Sequence, residues 1–365
     1  VIASDHFSAT EQQDVIRKNK IVAYWLLVGV GMIIIQTLLG GITRLSGSGL
    51  SITEWDVVTG ALPPLNNAAW VKEFAKYQQS PQFHYLNNDF TLSDFKSIFF
   101  WEWFHRLWAR SLGLVFAIPF VYFLVKKYFN KEMVLPFAGM FILGGLQGAI
   151  GWIMVQSGLE GDAIYVRPTK LAIHFIFAMI LACYVLWFAL KLLIPAKNIV
   201  VNATLKYFYS TIFFILLLQL IYGALMAGNK AATAAATWPT INGQWIPEGM
   251  SQSQNGHPLL ENKITIHFIH RGMAYLLTLL VIAASVMAFK MKAVSESFKK
   301  FRSWPLILVC VQVLLGICTV LLSLHIVPNK WGIFETLAEM HQLVAMFLLM
   351  VIVIQLYLIR LKSIV

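Results

Sequence analysis

Eight apolar stretches, each long enough to cross the ~30 Å hydrocarbon core of a bilayer as a helix, dominate the chain. They run over 21–42, 97–125, 133–156, 171–194, 207–227, 264–289, 304–327 and 336–359. No water satisfies backbone N–H and C=O groups inside a bilayer, so such a chain folds as helices that bond within themselves. Composition agrees: of 365 residues 58% are hydrophobic and 12% charged, and the mean hydropathy is +0.70. The expected fold class is an all-α polytopic membrane protein. Eight spans put both termini on one side.

No small-residue cleavage pattern follows the first span, which is therefore expected to be a retained helix rather than a signal peptide. The segments on the side of the termini, with Lys191 at a helix end, hold 16 Lys+Arg and 5 Asp+Glu, whereas the other side holds 12 of each. The whole net charge of +11 thus lies on one face, and by the positive-inside rule that face is cytoplasmic, with the chain in the cell's inner (plasma) membrane. The basic residues are short helix flanks such as Lys126, Lys127 and Lys131, which argues against nucleic acid as a partner and for membrane lipid. Cys183, Cys310 and Cys318 fall inside spans without a C-x-x-C pair, which disfavours disulfides and cysteine-held zinc.

The spans repeat. Each odd-numbered one carries a glutamine followed four residues later by glycine: Gln36 and Gly40, Gln147 and Gly151, Gln219 and Gly223, Gln312 and Gly316. Each even-numbered one carries a histidine near its start: His105, His174, His270 and His341. His105 and His270 are 165 residues apart, as are Gln147 and Gln312, while His174 and His341 are 167 apart. Gln36 and Gln219 are 183 apart because the first outer loop, 43–96, is longer than its counterpart 228–263. The expected organisation is a tail (1–20), a first four-helix half (21–194), a linker (195–206), a second half (207–359) and a C-terminal segment (360–365). The halves would be tandem four-helix bundles related by a pseudo-two-fold axis along the membrane normal. Glutamine and glycine four apart share a helical face, which serves close helix packing or leaves room for a flat cofactor. The alanine-rich run 231–236 reads as outer loop or a short surface helix.

A histidine within nine residues of an outer helix start lies at most ~13 Å deep at a rise of ~1.5 Å per residue. Imidazole in hydrocarbon is costly, and four at matching depth point to a site. Two facing imidazoles on neighbouring helices can hold iron above and below a haem plane. Zinc would need three or four ligands in a tetrahedron, and no H-E-x-x-H is present. Arg106 and Arg271, each following a histidine, are candidate partners for haem propionates, with Arg44, Arg110, Arg167 and Lys170 at similar depth. Trp101, Trp103, Phe104 and Trp108 either wall a macrocycle or form an interfacial belt. Glu102, three residues before His105, has His267 as its counterpart in the second half. Buried among apolar neighbours, a carboxylate there would exchange protons near neutral pH, or else simply hold a neighbour in place. His267 shares a face with His270, and either could reach a metal.

Residues 43–55 (TRLSGSGLSITEW) and 59–64 (TGALPP) resemble the first outer loop of haem A synthases. The similarity continues through EWFHR with Glu102, His105 and Arg106, through 148–159 (GAIGWIMVQSGL), and at His174, His270 with Arg271, and His341 with Gln342. The resemblance implies that His105 and His174 face the substrate haem O in the first half, while His270 and His341 are axial ligands of a haem b in the second. It implies a functional carboxylate at Glu102 and oxidation of a ring methyl to a formyl group through a hydroxymethyl intermediate, for terminal oxidases. Haem O synthase and oxidase assembly factors are the implied partners. Some members carry a cysteine pair in the first outer loop; this chain has none and resembles the cysteine-free branch, with proteobacterial and mitochondrial members. The second outer loop, 228–249, keeps the family pattern in part, at Thr237, Trp238, Pro239, Asn242 and Gly243. Two other readings of the histidines remain: a di-haem electron carrier linked to quinol, and a transporter, which would place its polar groups at the midplane.

Overall fold

The computed structural model describes residues 9–54, 59–253, 256–292, 294–327 and 330–361. Trp55 of the first loop motif and the first eight residues of the expected tail lie outside these. Eight long apolar helices are present among the described residues: α1 (Ala9–Leu45), α2 (Leu92–Val125), α3 (Lys131–Gln156), α4 (Pro168–Leu193), α5 (Ala203–Gly228), α6 (Lys263–Lys290), α7 (Trp304–Leu321) and α8 (Ile333–Leu358). The protein is an all-α, multi-pass membrane protein.

The helix starts are written in short polar residues. Asn130, Asn202 and Asn262 accept from backbone N–H groups three residues on, those of Met133, Leu205 and Thr265, and so cap α3, α5 and α6. Thr91 and Asp94 form a reciprocal capping box that starts α2 at Leu92 rather than at the expected 97. The added turn buries Phe95, Ile98 and Phe99 under an outer lobe built from the helices Asn67–Tyr77 and Pro81–Leu86. The long first loop is therefore a folded lobe. At the other end of the first half, α1 begins at Ala9, well inside the expected tail, because charged residues such as Asp14, Arg17 and Lys18 pair along a helix that continues past the apolar stretch. The span expected over 304–327 is shorter: α7 ends at Leu321 and a 3-10 turn, Ser323–His325, follows.

Helix α4 packs against α1, α3, α5 and α8, and α8 packs against α1, α4, α5 and α7. These two helices are the most buried, from Met179 to Leu190 on α4 and from Val344 to Leu358 on α8, and they form the centre where the halves meet. Within the first half α1 packs on α2 and α4; within the second α5 packs on α6 and α8, the same pairs four helices on. The linker joins the end of the chain through a two-residue parallel pairing of Val200–Val201 with Ile359–Arg360.

Candidate functional site: four imidazoles on the even helices

The Gln-x-x-x-Gly pairs find their meaning in the histidines opposite them. Gln36 Nε2 donates to the main-chain carbonyl of His105 at 3.2 Å, and Gln147 Nε2 donates to that of His174 at 3.0 Å and lies 3.2 Å from its ring Nδ1. In the second half Gln219 lies 3.4 Å from His270 Nε2 and Gln312 3.2 Å from His341 Nε2. One helical turn on, each glycine sits under the imidazole. An added Cβ would come within 3.3 Å of His105 at Gly40, 2.8 Å of His174 at Gly151, 3.4 Å of His270 at Gly223 and 2.9 Å of His341 at Gly316. The space that each glycine leaves is filled by imidazole. A glutamine meets each histidine, at the ring of His174, His270 and His341 and at the main chain of His105, and a glycine one turn on gives each ring room.

All four histidines are half-buried. The rings of His270 and His341 face each other with centroids 6.5 Å apart and planes at 71°. Two imidazoles on opposite sides of one metal, with metal–nitrogen bonds of about 2 Å, would put their ring centres about 6 Å apart. His270 and His341 are thus the residues of the second half that could hold a metal ion between them. His341 Nδ1 lies 3.1 Å from the main-chain oxygen of Gln312. With Nδ1 donating there, Nε2 carries the lone pair. Oε1 of all four glutamines and Nδ1 of His270 are buried without a hydrogen-bond partner, so polar capacity is left around the rings. The donor set fits a haem.

His267 is a different kind of residue. Its side chain is fully buried and its Nε2 lies 2.8 Å from the carbonyl of Ala231, so it anchors the 3-10 turn Ala231–Ala235. That turn is packed inside, with Ala231 and Ala235 buried, and is not a surface helix. His270, one turn on, is the residue that faces His341.

Glu102, the counterpart of His267, does the same work by other chemistry. Its Oε2 accepts from Ser51 Oγ at 2.7 Å and from the Ile52 N–H at 2.9 Å, and its Oε1 pairs with Arg106. Arg106 in turn donates to the carbonyls of Ile52 and Glu54. Arg271 holds the second outer loop in the same way, through the carbonyls of Ala235, Thr237 and Thr240. In both halves, then, the residue three positions before the histidine and the arginine after it clamp the half's own loop. Of the other cations, Arg44 donates to the Ala227 carbonyl and Arg167 lies 3.9 Å from Glu160. Trp103 and Trp108 are tied by their indole N–H groups to the carbonyls of Ala61 and Met32.

The halves differ around their seams. Helices α6 and α7 pack against each other. Helices α2 and α3 meet through rings far from the histidines, Phe116 and Phe120 against Phe141 at 4.8 and 4.9 Å. Gly144, Gly145 and Gly148 of α3 are exposed and have no neighbour within reach of an added Cβ, as is true of Gly272 on α6. An open cavity of about 1000 Å³ at the outer ends of α4, α5 and α6, lined by Arg167, Asn229, His257 and Lys263 among others, contains none of the four histidines.

The sequence reading missed one intramembrane acid, Glu339, two residues before His341. It is 6% exposed, its carboxylate rests on Gly41 of α1, and its Oε2 has no hydrogen-bond partner. The signal was available, since an acid inside an apolar span is rare and expensive.

Eight membrane helices with intramembrane imidazoles on the even ones, and loops clamped beside them, define a polytopic membrane protein with candidate imidazole sites. The family described as cytochrome oxidase assembly protein matches residues 23–353. A haem A synthase of Flavobacterium psychrophilum is 40% identical over 340 residues, covering 91% of this chain and 96% of the relative. One of Rhodospirillum centenum is 43% identical over 273 residues, 74% of this chain and 73% of the relative, and one of Brucella suis is 38% identical over 308 residues, 84% and 85%. The chain belongs to the haem A synthase family.

Proposed function

We propose that the protein oxidises a ring methyl of haem O to a formyl group, through a hydroxymethyl intermediate, in its first half, and holds a haem b in its second. The observation that carries the division is the contrast between halves: two imidazoles with ring centres 6.5 Å apart beside well-packed helices α6 and α7 in the second, and a looser α2–α3 seam, met through Phe116, Phe120 and Phe141, in the first. A substrate must enter and leave; a resident group need not. The relatives named haem A synthase support the chemistry.

In this reading His270 and His341 would hold haem b, which would supply one-electron redox chemistry. His105 and His174 hold the substrate, with Gln36 bound to the main chain of His105, Gln147 to the ring and main chain of His174, and Gly40 and Gly151 giving the rings room. Arg106 and Arg271 keep the outer loops closed over the sites and exclude water. A guanidinium carries five N–H donors, so holding a loop and meeting a propionate are compatible. Glu102 is the proposed proton-exchanging group. Oε1 of Glu102 is held by Arg106, so Glu102 also bears on the loop that Arg106 clamps. The chain is placed in the inner (plasma) membrane with both termini cytoplasmic, receiving haem O from its synthase and passing product towards terminal oxidase assembly.

The test is the pigment. Cells supplied with haem O and expressing the protein are expected to yield a formyl-bearing haem, whose pyridine complex is red-shifted. Extraction of protohaem and unchanged haem O alone would overturn the reading in favour of a di-haem carrier. Glu102→Ala is expected to slow conversion while leaving the second-half haem in place; conversion at the parental rate would remove the proton role.

A further inference from the structure

Resting on that reading, we propose that Glu339 is a positioning residue that couples the two imidazole sites across the contact between α1 and α8. Helix α1 presents two adjacent faces. Gln36 and Gly40 meet His105, while Thr37, Gly41 and Arg44, one position round, meet α8. On α8 the polar partners bracket His341: Gln342 Nε2 donates to the Thr37 carbonyl at 3.1 Å, and the Glu339 carboxylate lies over Gly41, where an added Cβ would sit 2.7 Å from Cδ. Arg44 interacts electrostatically with Glu339 and donates to the carbonyl of Ala227 at the end of α5. A displacement of His341 therefore moves Glu339 and Gln342, and with them the segment Gly40–Gly41 that bears on His105.

The other contact between the halves shows that packing alone does not require this acid. The repeat places Ala172 opposite Glu339, Ala224 opposite Gly41 and Ala227 opposite Arg44. In the α4–α5 contact Ala172 and Ala224 are buried in one apolar cluster with Leu225 and Ile266. One contact between the halves is thus sealed with alanines. Its counterpart carries a buried carboxylate with an unpartnered oxygen on a bare glycine. A costly group retained where a methyl suffices is expected to transmit a state rather than to fill space.

The test uses purified protein with its resident haem and zinc protoporphyrin, a redox-silent probe, to fill the first half. The oxidised-to-reduced ratio of the resident haem at fixed potential and its low-spin electron paramagnetic resonance signal are read with and without the probe. In the parental protein the ratio is expected to change about fivefold or more, the lower range of inter-site coupling. In Glu339→Gln and in Gly41→Ala the change is expected to fall within about twofold while haem content is kept. The double variant Arg44→Ala with Glu339→Ala places two of the three alanines of the other contact, keeps Gly41, is expected to assemble, and decides the matter if Gly41→Ala does not fold. A fivefold change that persists in the double variant, or none in the parental protein with the probe bound, overturns the coupling alone. Parental protein without any second-half haem overturns the reading beneath it as well.

Discussion

Replacing Gly316 by alanine is expected to expel the second-half haem, whereas replacing Gly223, its partner in the same half, is not. The difference is geometric. At Gly316 the new methyl would stand 2.9 Å from His341 Cε1, and at Gly223 3.4 Å from His270 Cε1. Carbon atoms pack best at about 3.5–4.0 Å, so His341 would have to retreat by roughly 0.6–1.1 Å and His270 by only about 0.1–0.6 Å. An axial bond of about 2 Å tolerates little of that retreat. The ring cannot slip sideways freely either, because its Nδ1 lies 3.1 Å from the main-chain oxygen of Gln312. Overpacking of this kind costs about 1–3 kcal/mol. At about 1.4 kcal/mol per factor of ten, that is roughly 5- to 150-fold weaker haem retention for Gly316→Ala. Gly223→Ala should stay within about 0.5 kcal/mol, or roughly twofold. Pyridine haemochrome content per folded chain and the rate of haem transfer to apomyoglobin measure both. Equal retention in the two variants would refute the claim that the glycines seat the ligands.

The first half should repeat the pattern, with Gly151→Ala (2.8 Å) lowering conversion of haem O far more than Gly40→Ala (3.3 Å), resident haem being kept in both. Arg271→Ala removes donors to three loop carbonyls, and with charged donors worth about 1.5–3 kcal/mol it should open 235–240 to protease and hydrogen exchange; unchanged exchange there would contradict the clamp. In the outer lobe, burial pushes the Tyr77 phenol up to about 12. The lobe's stability is therefore full below pH 10 and falls as pH rises from there through about 12, and alkaline unfolding should lose this component in Tyr77→Phe. His267→Ala should loosen the turn at Ala231–Ala235 and leave haem bound, since His267 bonds to that turn and not into the site.

Hydropathy made the eight spans legible because in a bilayer the energetics of each span are local. The repeated Gln-x-x-x-Gly and the four histidines were legible for the same reason: polar groups are too costly there to occur at random. What could not be read was partnership. Glutamine, glycine and histidine were separate marks in the sequence, and only the packing of odd on even helices brings Gln312, Gly316 and His341 together. The arginines were expected at propionates on charge alone. The structure adds loop carbonyls, because a backbone carbonyl 30 or more residues away, such as Thr237 or Ala235 for Arg271, leaves no trace in composition. The ambiguity between His267 and His270 likewise needed the burial of one and the facing partner of the other. Helix α2 started early because the Thr91–Asp94 capping box outlasts the hydropathy window.

The division of labour between halves is tested most directly by haem analysis of three purified proteins under one protocol: parental, His270→Ala and His105→Ala. The account predicts a stable low-spin haem b in the parental protein and in His105→Ala, and its loss from His270→Ala. Retention of that haem in His270→Ala, or its loss from His105→Ala instead, would contradict it.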